Sequence, residues 1–239
     1  MPGVLEMPKM DILYTFIDDF CKEHNIDPSH DVTHSRDCVR FVEKLMDWSF
    51  NEDEKEMARY AAALHDCVDK KYVDVVEASH HILGFLTSIG WSDERAEELL
   101  AMVTTMSYSK LKAEMVDGKP VFPDHGKWNR VYHVVRQADL LCSYHVHRCY
   151  QYQKRIHPEW DEVTHWVRVE AMFQDRMFKY MTNGWFVSRA AMALIPPLIE
   201  QANKDLTGKN GMAPANYGVK NGDDDGECVC RRHSSEKPD

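Results

Sequence analysis

Apolar residues recur at three- and four-residue steps along almost the whole chain, and that spacing leaves few choices of fold. Leu13, Phe16, Ile17 and Phe20 lie on one face of a helix beginning near Met10. Val39, Val42, Leu45 and Met46 mark a second. Met57, Ala58, Ala61 and Leu64 mark a third, after the acidic start Glu52-Asp53-Glu54 that suits a helix N-terminus. Further periodic segments run over 74–89, 93–105, 129–156, 162–182 and 186–206. Alternating β-branched stretches joined by hairpin turns are missing. The pattern predicts an all-α fold, a bundle of helices.

The breaks fall where turn chemistry collects. They lie at Asn25–Ser29, at Gly90-Trp91-Ser92, and in a loop from Leu111 to Asn129 that holds Asp117-Gly118 and two prolines. Pro196-Pro197 predicts a kink or an end in the last helix. After Leu206 the chain turns to Gly, Asn, Asp and Ser with little to bury, so its ordering entropy has no offset. One domain is therefore predicted over 8–206, with an extension at 1–7 and a disordered polar tail at 207–239. Cys228, Cys230 and His233 in that tail do not make a recognised metal knot. Six tryptophans, Trp48, Trp91, Trp128, Trp160, Trp166 and Trp185, read as core packing at helix faces or turns.

With 29 basic against 39 acidic residues the formal charge is −10. That balance argues against a nucleic-acid polymer or an anionic membrane as the partner. The opening MPGVLEMPKM lacks an apolar run of about 7–15 residues of the signal-peptide kind, and no stretch reaches the ~18–20 apolar residues of a membrane span. Seven cysteines, an odd number in a long chain, read as reduced thiols. These features predict a soluble cytoplasmic protein. Oligomeric state leaves no mark on the sequence.

Histidine and aspartate concentrate where helix packing does not need them. Ser29-His30-Asp31-Val32-Thr33-His34 begins the second helix, Ala61-Ala62-Ala63-Leu64-His65-Asp66 ends the third, and Gln137-Ala138-Asp139-Leu140 lies in the segment 129–156. His34, His65, Asp66 and Asp139 together make a mixed nitrogen and oxygen set. Such a set suits one divalent ion of the Mn, Fe, Co, Ni or Mg kind rather than a thiolate zinc site. Four protein ligands leave room for a water and a substrate oxygen, which is the logic of metal-assisted hydrolysis. Each piece alone has a plainer reading. A single His on a helix is more often a packing residue, and Asp139 could pair with Arg136 or Arg40.

The motifs and their order resemble the HD-domain metal-dependent phosphohydrolases, in particular the YedJ/YpgQ-like branch. The resemblance is carried by HDVTHSRDCV (30–39), AAALHDCVDKKY (61–72), TTMSYSK (104–110), RQADLLCSYHVHRCYQY (136–152) and HWVRVEAMFQDRMFKYMTN (165–183). It implies an all-α HD-domain bundle, one metal on His34, His65, Asp66 and Asp139, and a small phosphorylated substrate such as a nucleotide. It also places His30, Asp31 and the Asp69-Lys70-Lys71-Tyr72 run near the metal mouth. The chain departs from the family's motifs at Asp37-Cys38, where relatives carry Arg-Val, at Gln137 and Cys142, where they carry Asp, at Leu140, where they carry Arg, and at Met106, where they often carry His.

Roles follow for the remaining candidates. His30 and Asp31 are candidates for orienting or exchanging protons with a metal-bound water, with Asp66 and Asp69 beside them; Asp31 could equally cap its helix. Lys70 and Lys71 could reach phosphate oxygens, as could Ser107 and Lys110, which otherwise read as a helix end with a cationic cap. His80 is a candidate pocket-wall residue. A dinuclear iron oxygenase on the same fold would need two further histidines, drawn from His80 or His81 and from His125 or His133. A nucleotide-binding module without turnover is the third reading.

Overall fold

The computed structural model describes residues 7–208, and its regular structure is helical. The helices are α1 (Met7–Glu23), α2 (Val32–Leu45), α3 (Glu52–Leu64), α4 (Val75–Ser88), α5 (Asp93–Val103), α6 (Tyr108–Ala113), α7 (Asn129–Cys142), α8 (Val146–Ile156), α9 (Glu162–Asp175) and α10 (Arg189–Thr207). Short 3₁₀ turns follow α3 (His65–Val68), precede α7 (Gly126–Trp128) and follow α9 (Met177–Lys179). No strand occurs among the described residues; an isolated bridge between Val116 and Lys119 closes the Asp117-Gly118 turn, both of whose central residues have positive φ.

Local chemistry sets the helix starts. Asp31, Asn51, Asp74, Ser92, Ser107, Asp161 and Ser188 each accept a backbone N–H of the following first turn. Asn51 and Glu54 complete a reciprocal capping box. At the far end of α4, Gly90 takes φ +96, a conformation that glycine adopts without strain.

Helix α3 is the axis of the fold. Ala58, Ala61, Ala62 and Ala63 are fully buried, and these small side chains let α1, α2, α5 and α7 pack around it. Helices α2 and α7 also pack closely on each other. Ser35 Oγ of α2 donates to the Ala63 carbonyl at 2.8 Å, which pins α2 to the last turn of α3. The result is one compact helical domain in which the end of α3, the start of α2 and the middle of α7 meet.

Several expectations change. The segment 129–156 is two helices, because Ser143 Oγ donates to the Leu140 carbonyl and the chain turns through Ser143–His145. The segment 162–182 stops as an α-helix at Asp175. Pro196 and Pro197 lie inside α10 and on its exposed side, where water can satisfy the Met192 and Ala193 carbonyls that lose their N–H partners. Trp48 is 93% exposed in the turn after α2, and Phe50 supplies the buried ring there instead. Within the predicted loop 111–129, the first three residues belong to α6. The tail with Cys228, Cys230 and His233 lies outside the described residues, as do residues 1–6. No helix among the described residues is long and apolar enough to cross a membrane.

Candidate metal centre

Helix α3 runs through fully buried alanines to Leu64 and tightens into the 3₁₀ turn, and this delivers His65 and Asp66 from an apolar element. The His65 Nδ1–H donates to the Ala62 carbonyl at 2.9 Å. That bond fixes the ring and leaves Nε2 as the free acceptor, which is how ligating imidazoles are usually held. His34 comes from the first turn of α2 and Asp139 from α7.

The structure brings these four predicted residues together. His34 Nε2 stands 3.3 Å from Asp66 Oδ2 and 3.4 Å from Asp139 Oδ1. His65 Nε2 stands 3.4 Å from Asp66 Oδ1 and 3.5 Å from the same Asp139 oxygen. Donors held about 2.0–2.2 Å from one ion stand about 2.8–3.1 Å apart at octahedral angles and about 3.3–3.6 Å apart at tetrahedral ones, so the spacing suits a shared small cation whose protein ligands are opened beyond octahedral angles. His65 Nε2 and Asp66 Oδ2 are buried, and although each lies within ion-pair distance of the cluster neither makes a well-aligned hydrogen bond. Orphaned polar atoms at that depth are destabilising without something to bind. The donor set therefore fits a divalent ion by distance and by unmet bonding.

Cys38 is a further close neighbour. An atom set with mutual distances within 4.8 Å joins His34, Cys38, His65 and Asp139 and leaves Asp66 out, because Asp66 reaches the two imidazoles with different oxygens. Cys38 Sγ is 3.5 Å from His34 Nε2 and 3.7 Å from Nδ1. Near-equal distances to both nitrogens put the sulfur beside the ring, away from the Nε2 lone pair that faces the carboxylates. Asp66 and Cys38 are thus the two candidates beside His34, His65 and Asp139, and Cys38 also stands 3.5 Å from Cys142 Sγ.

Charge in the cluster is strongly coupled. Burial and the Arg148 charge oppose protonation of His34, yet the facing Asp139 and Asp66 carboxylates outweigh them and lift it well above the ordinary histidine range. His65 is raised in the same way, against burial, chiefly by Asp66 and Asp139. Burial pushes the carboxylates up, but the imidazoles prevail and hold Asp66 and Asp139 below the usual carboxylate range. The site is thus built to hold positive charge between two carboxylates. The histidine side chains are 2% and 5% exposed, Asp66 14% and Asp139 26%, so solvent enters from the carboxylate side.

His30 stands at the mouth, its ring 5.9 Å from that of His34. Its Nδ1 lies 3.2 Å from Asp27 Oδ2, 2.7 Å from Ser29 Oγ and 3.0 Å from the Tyr72 hydroxyl, and its Nε2 lies 3.0 Å from Lys71 Nζ. An ammonium only donates, so Nε2 accepts and Nδ1–H points to Asp27. Ser29 and Tyr72 also bond the Asp27 carboxylate. Burial raises Asp27, but His30 and Ser29 bring it down to about 2. Burial likewise keeps His30 below the ordinary histidine range.

The other predicted residues divide. Asp69 accepts the Lys71 backbone N–H and pairs with its ammonium at 3.5 Å, which keeps both at the rim. Lys70 is exposed next to them. Asp31 caps α2 through Thr33 N–H and is no part of the cluster. Ser107 caps α6, and Lys110 Nζ donates to the Thr104 carbonyl at the end of α5, so both do helix-end work. His80 is exposed on α4. His125 bonds Thr105, and His133 accepts from Arg136 Nε; neither enters the cluster. A surface depression lined by Glu98, Met102, His125 and Trp128 shares no residue with it.

Two residues escaped the sequence reading. Asp27 belongs to a segment whose Asp-Pro-Ser composition signals only a turn. Arg148, in the first turn of α8, donates from Nη1 to the Ser29 carbonyl at 3.0 Å, while its Nε is buried without a partner. Comparison of the chain with protein-family models, curated proteins and solved structures found no match.

Proposed function

We propose that this protein is a metal-dependent phosphohydrolase of the HD-domain type, acting on a phosphate ester or anhydride in a small molecule, above all a nucleotide. The observation that carries the reading is the meeting of His34, His65, Asp66 and Asp139, with two buried atoms unsatisfied, beneath an opening on the carboxylate side. These four would hold one divalent ion from the Mn, Ni, Co, Fe and Mg group. When bound, such an ion acidifies a water and polarises a phosphoryl oxygen.

The chain's own groups supply the rest. Asp27 fixes the His30 ring with Nε2 accepting from Lys71, so that when the Lys71 ammonium turns to a substrate phosphate this nitrogen is freed to accept or return a proton. Lys71 presents an ammonium at the rim for a substrate phosphate, steadied by Asp69. The order of the motifs supports the nucleotide assignment. The cluster recruits none of His80, His81, His125 and His133, which supports one metal rather than two. Cys21, Cys38, Cys67, Cys142 and Cys149 are buried free thiols, which supports a reducing, cytoplasmic setting.

The test is metal analysis after mild purification, followed by a screen of nucleotides and phosphate esters with each of those ions. About one equivalent of metal with release of phosphate or pyrophosphate is expected. Two irons with oxygen uptake, or bound nucleotide without turnover under any metal, would overturn the hydrolase.

A further inference from the structure

We infer that Arg148 grips the substrate's phosphoryl group, closing two hydrogen bonds on it from the Nε and Nη2 edge of its guanidinium; the inference rests on the metal-centre reading above. The guanidinium is already positioned. Nη1 is committed to the Ser29 carbonyl, and Ser29 is itself fixed by its backbone N–H on Asp27 at 2.8 Å. Ser29 precedes His30, whose ring packs edge-on against that of His34. Tyr152, one turn further along α8, sets its ring 5.5 Å from His30. Arg148 thus belongs to the wall of the metal mouth.

The uncommitted edge makes the case. A guanidinium has a planar fork, Nε–H and Nη2–H pointing the same way, that matches two oxygens of a phosphate. Here Nη1, which is outside that fork, is the nitrogen bonded to the protein. Nε is buried and without a partner, a state that destabilises the fold if left unmet. No carboxylate forms an ion pair with Arg148 among the described residues, whereas the neighbouring Lys71 has Asp69. Ser29, which Arg148 holds, leads directly into His30, and the His30 ring stands 5.9 Å from that of the cluster's His34. A tetrahedral oxyanion is the chemical class that fills this fork.

The experiment is calorimetric titration of inorganic phosphate into the metal-loaded protein, comparing wild type, Arg148→Gln and Arg148→Lys after metal content and helical CD have been measured for each. The Arg148→Gln protein is expected to bind phosphate about ten-fold more weakly or worse. The Arg148→Lys protein, which keeps the charge without the fork, is expected to lose most of that affinity too. Phosphate affinity in Arg148→Gln within about two-fold of wild type would overturn the inference, as would full affinity in Arg148→Lys or no phosphate binding by metal-loaded wild type. Wild type that takes up no metal is a separate result, read before phosphate is added, and would overturn the metal centre and this inference with it.

Discussion

Two groups of histidine and carboxylate in this molecule look alike by distance and differ in how deeply the core holds them. His34, His65, Asp66 and Asp139 meet from α2, the turn after α3, and α7, with their histidines almost fully buried. Glu23, His24 and His81 also place ligand atoms within 4.8 Å of one another, but at the exposed end of α1 and on α4. In the first group the His65 ring is tied by a hydrogen bond and the helix that carries His34 is pinned beside it. His65 Nδ1 bonds Ala62, and Ser35, next to His34, bonds Ala63. In the second, His24 and His81 rest on the Phe20 ring, and His81 on Phe16 as well, while the carboxylate faces solvent. Both groups hold a buried ring nitrogen without a partner, His65 Nε2 in the first and His24 Nε2 in the second, so what separates them is the number of buried donors that one core brings together.

The largest expected effect tests that difference directly. His65→Ala or Asp66→Ala should abolish metal uptake while the helical CD signal persists, with stability lower by about 1–3 kcal/mol. His81→Gln should leave metal content unchanged. Full occupancy in both cluster variants, or loss of metal from His81→Gln, would reverse the assignment of the two groups.

A smaller effect should come from the bond beneath the ligands. Ser35→Ala removes the tie between α2 and the Ala63 carbonyl without touching a ligand. Metal affinity should fall by about 10–100-fold, and stability by about 1 kcal/mol. Equilibrium metal titration separates this from simple destabilisation, because a folded variant with wild-type affinity would show that Ser35 only packs.

How far this contrast was legible in the sequence depends on the range of each contact. The helical spacing from Leu13 to Leu206, the acidic start at Glu52 and the cap at Asp31 are local, and they read directly, whereas Asn51 and Ser92 show themselves as caps only in the structure. The His65-Asp66 pair after an alanine-rich turn is local as well, and the motif order pointed to His34 and Asp139 as its partners. Asp27 and Tyr72 are 45 residues apart, and Arg148 and Ser29 are 119 apart. Those pairings come from how α8 and the loop after α3 pack against the entrance to α2, which no periodicity encodes. The break at Ser143 was hidden because apolar spacing continues across it. Ser107 and Lys110 carried chemistry that suits phosphate, but their neighbours made them helix caps.

The smallest effect, and the sharpest on the mouth of the site, concerns acid. Asp27 is buried and held at about 2, below its ordinary value of 3.8. Its folded-state value is lowered, so its contribution to stability is present above about pH 4 and is lost as pH falls toward about 2. Asp66 and Asp139 lose theirs in the same direction, so total acid sensitivity does not isolate Asp27. The comparison with Asp27→Asn does. That variant keeps the shape and removes the titration, so its stability gap to wild type should narrow steadily as urea unfolding is repeated from about pH 5 down to about pH 2.5. The surface group offers the control: His81→Gln removes no carboxylate, and its gap to wild type should stay unchanged over the same range. A gap for Asp27→Asn that stays constant with pH would mean that the carboxylate is not held ionised by His30 and Ser29, and the positioning of His30 would need another cause.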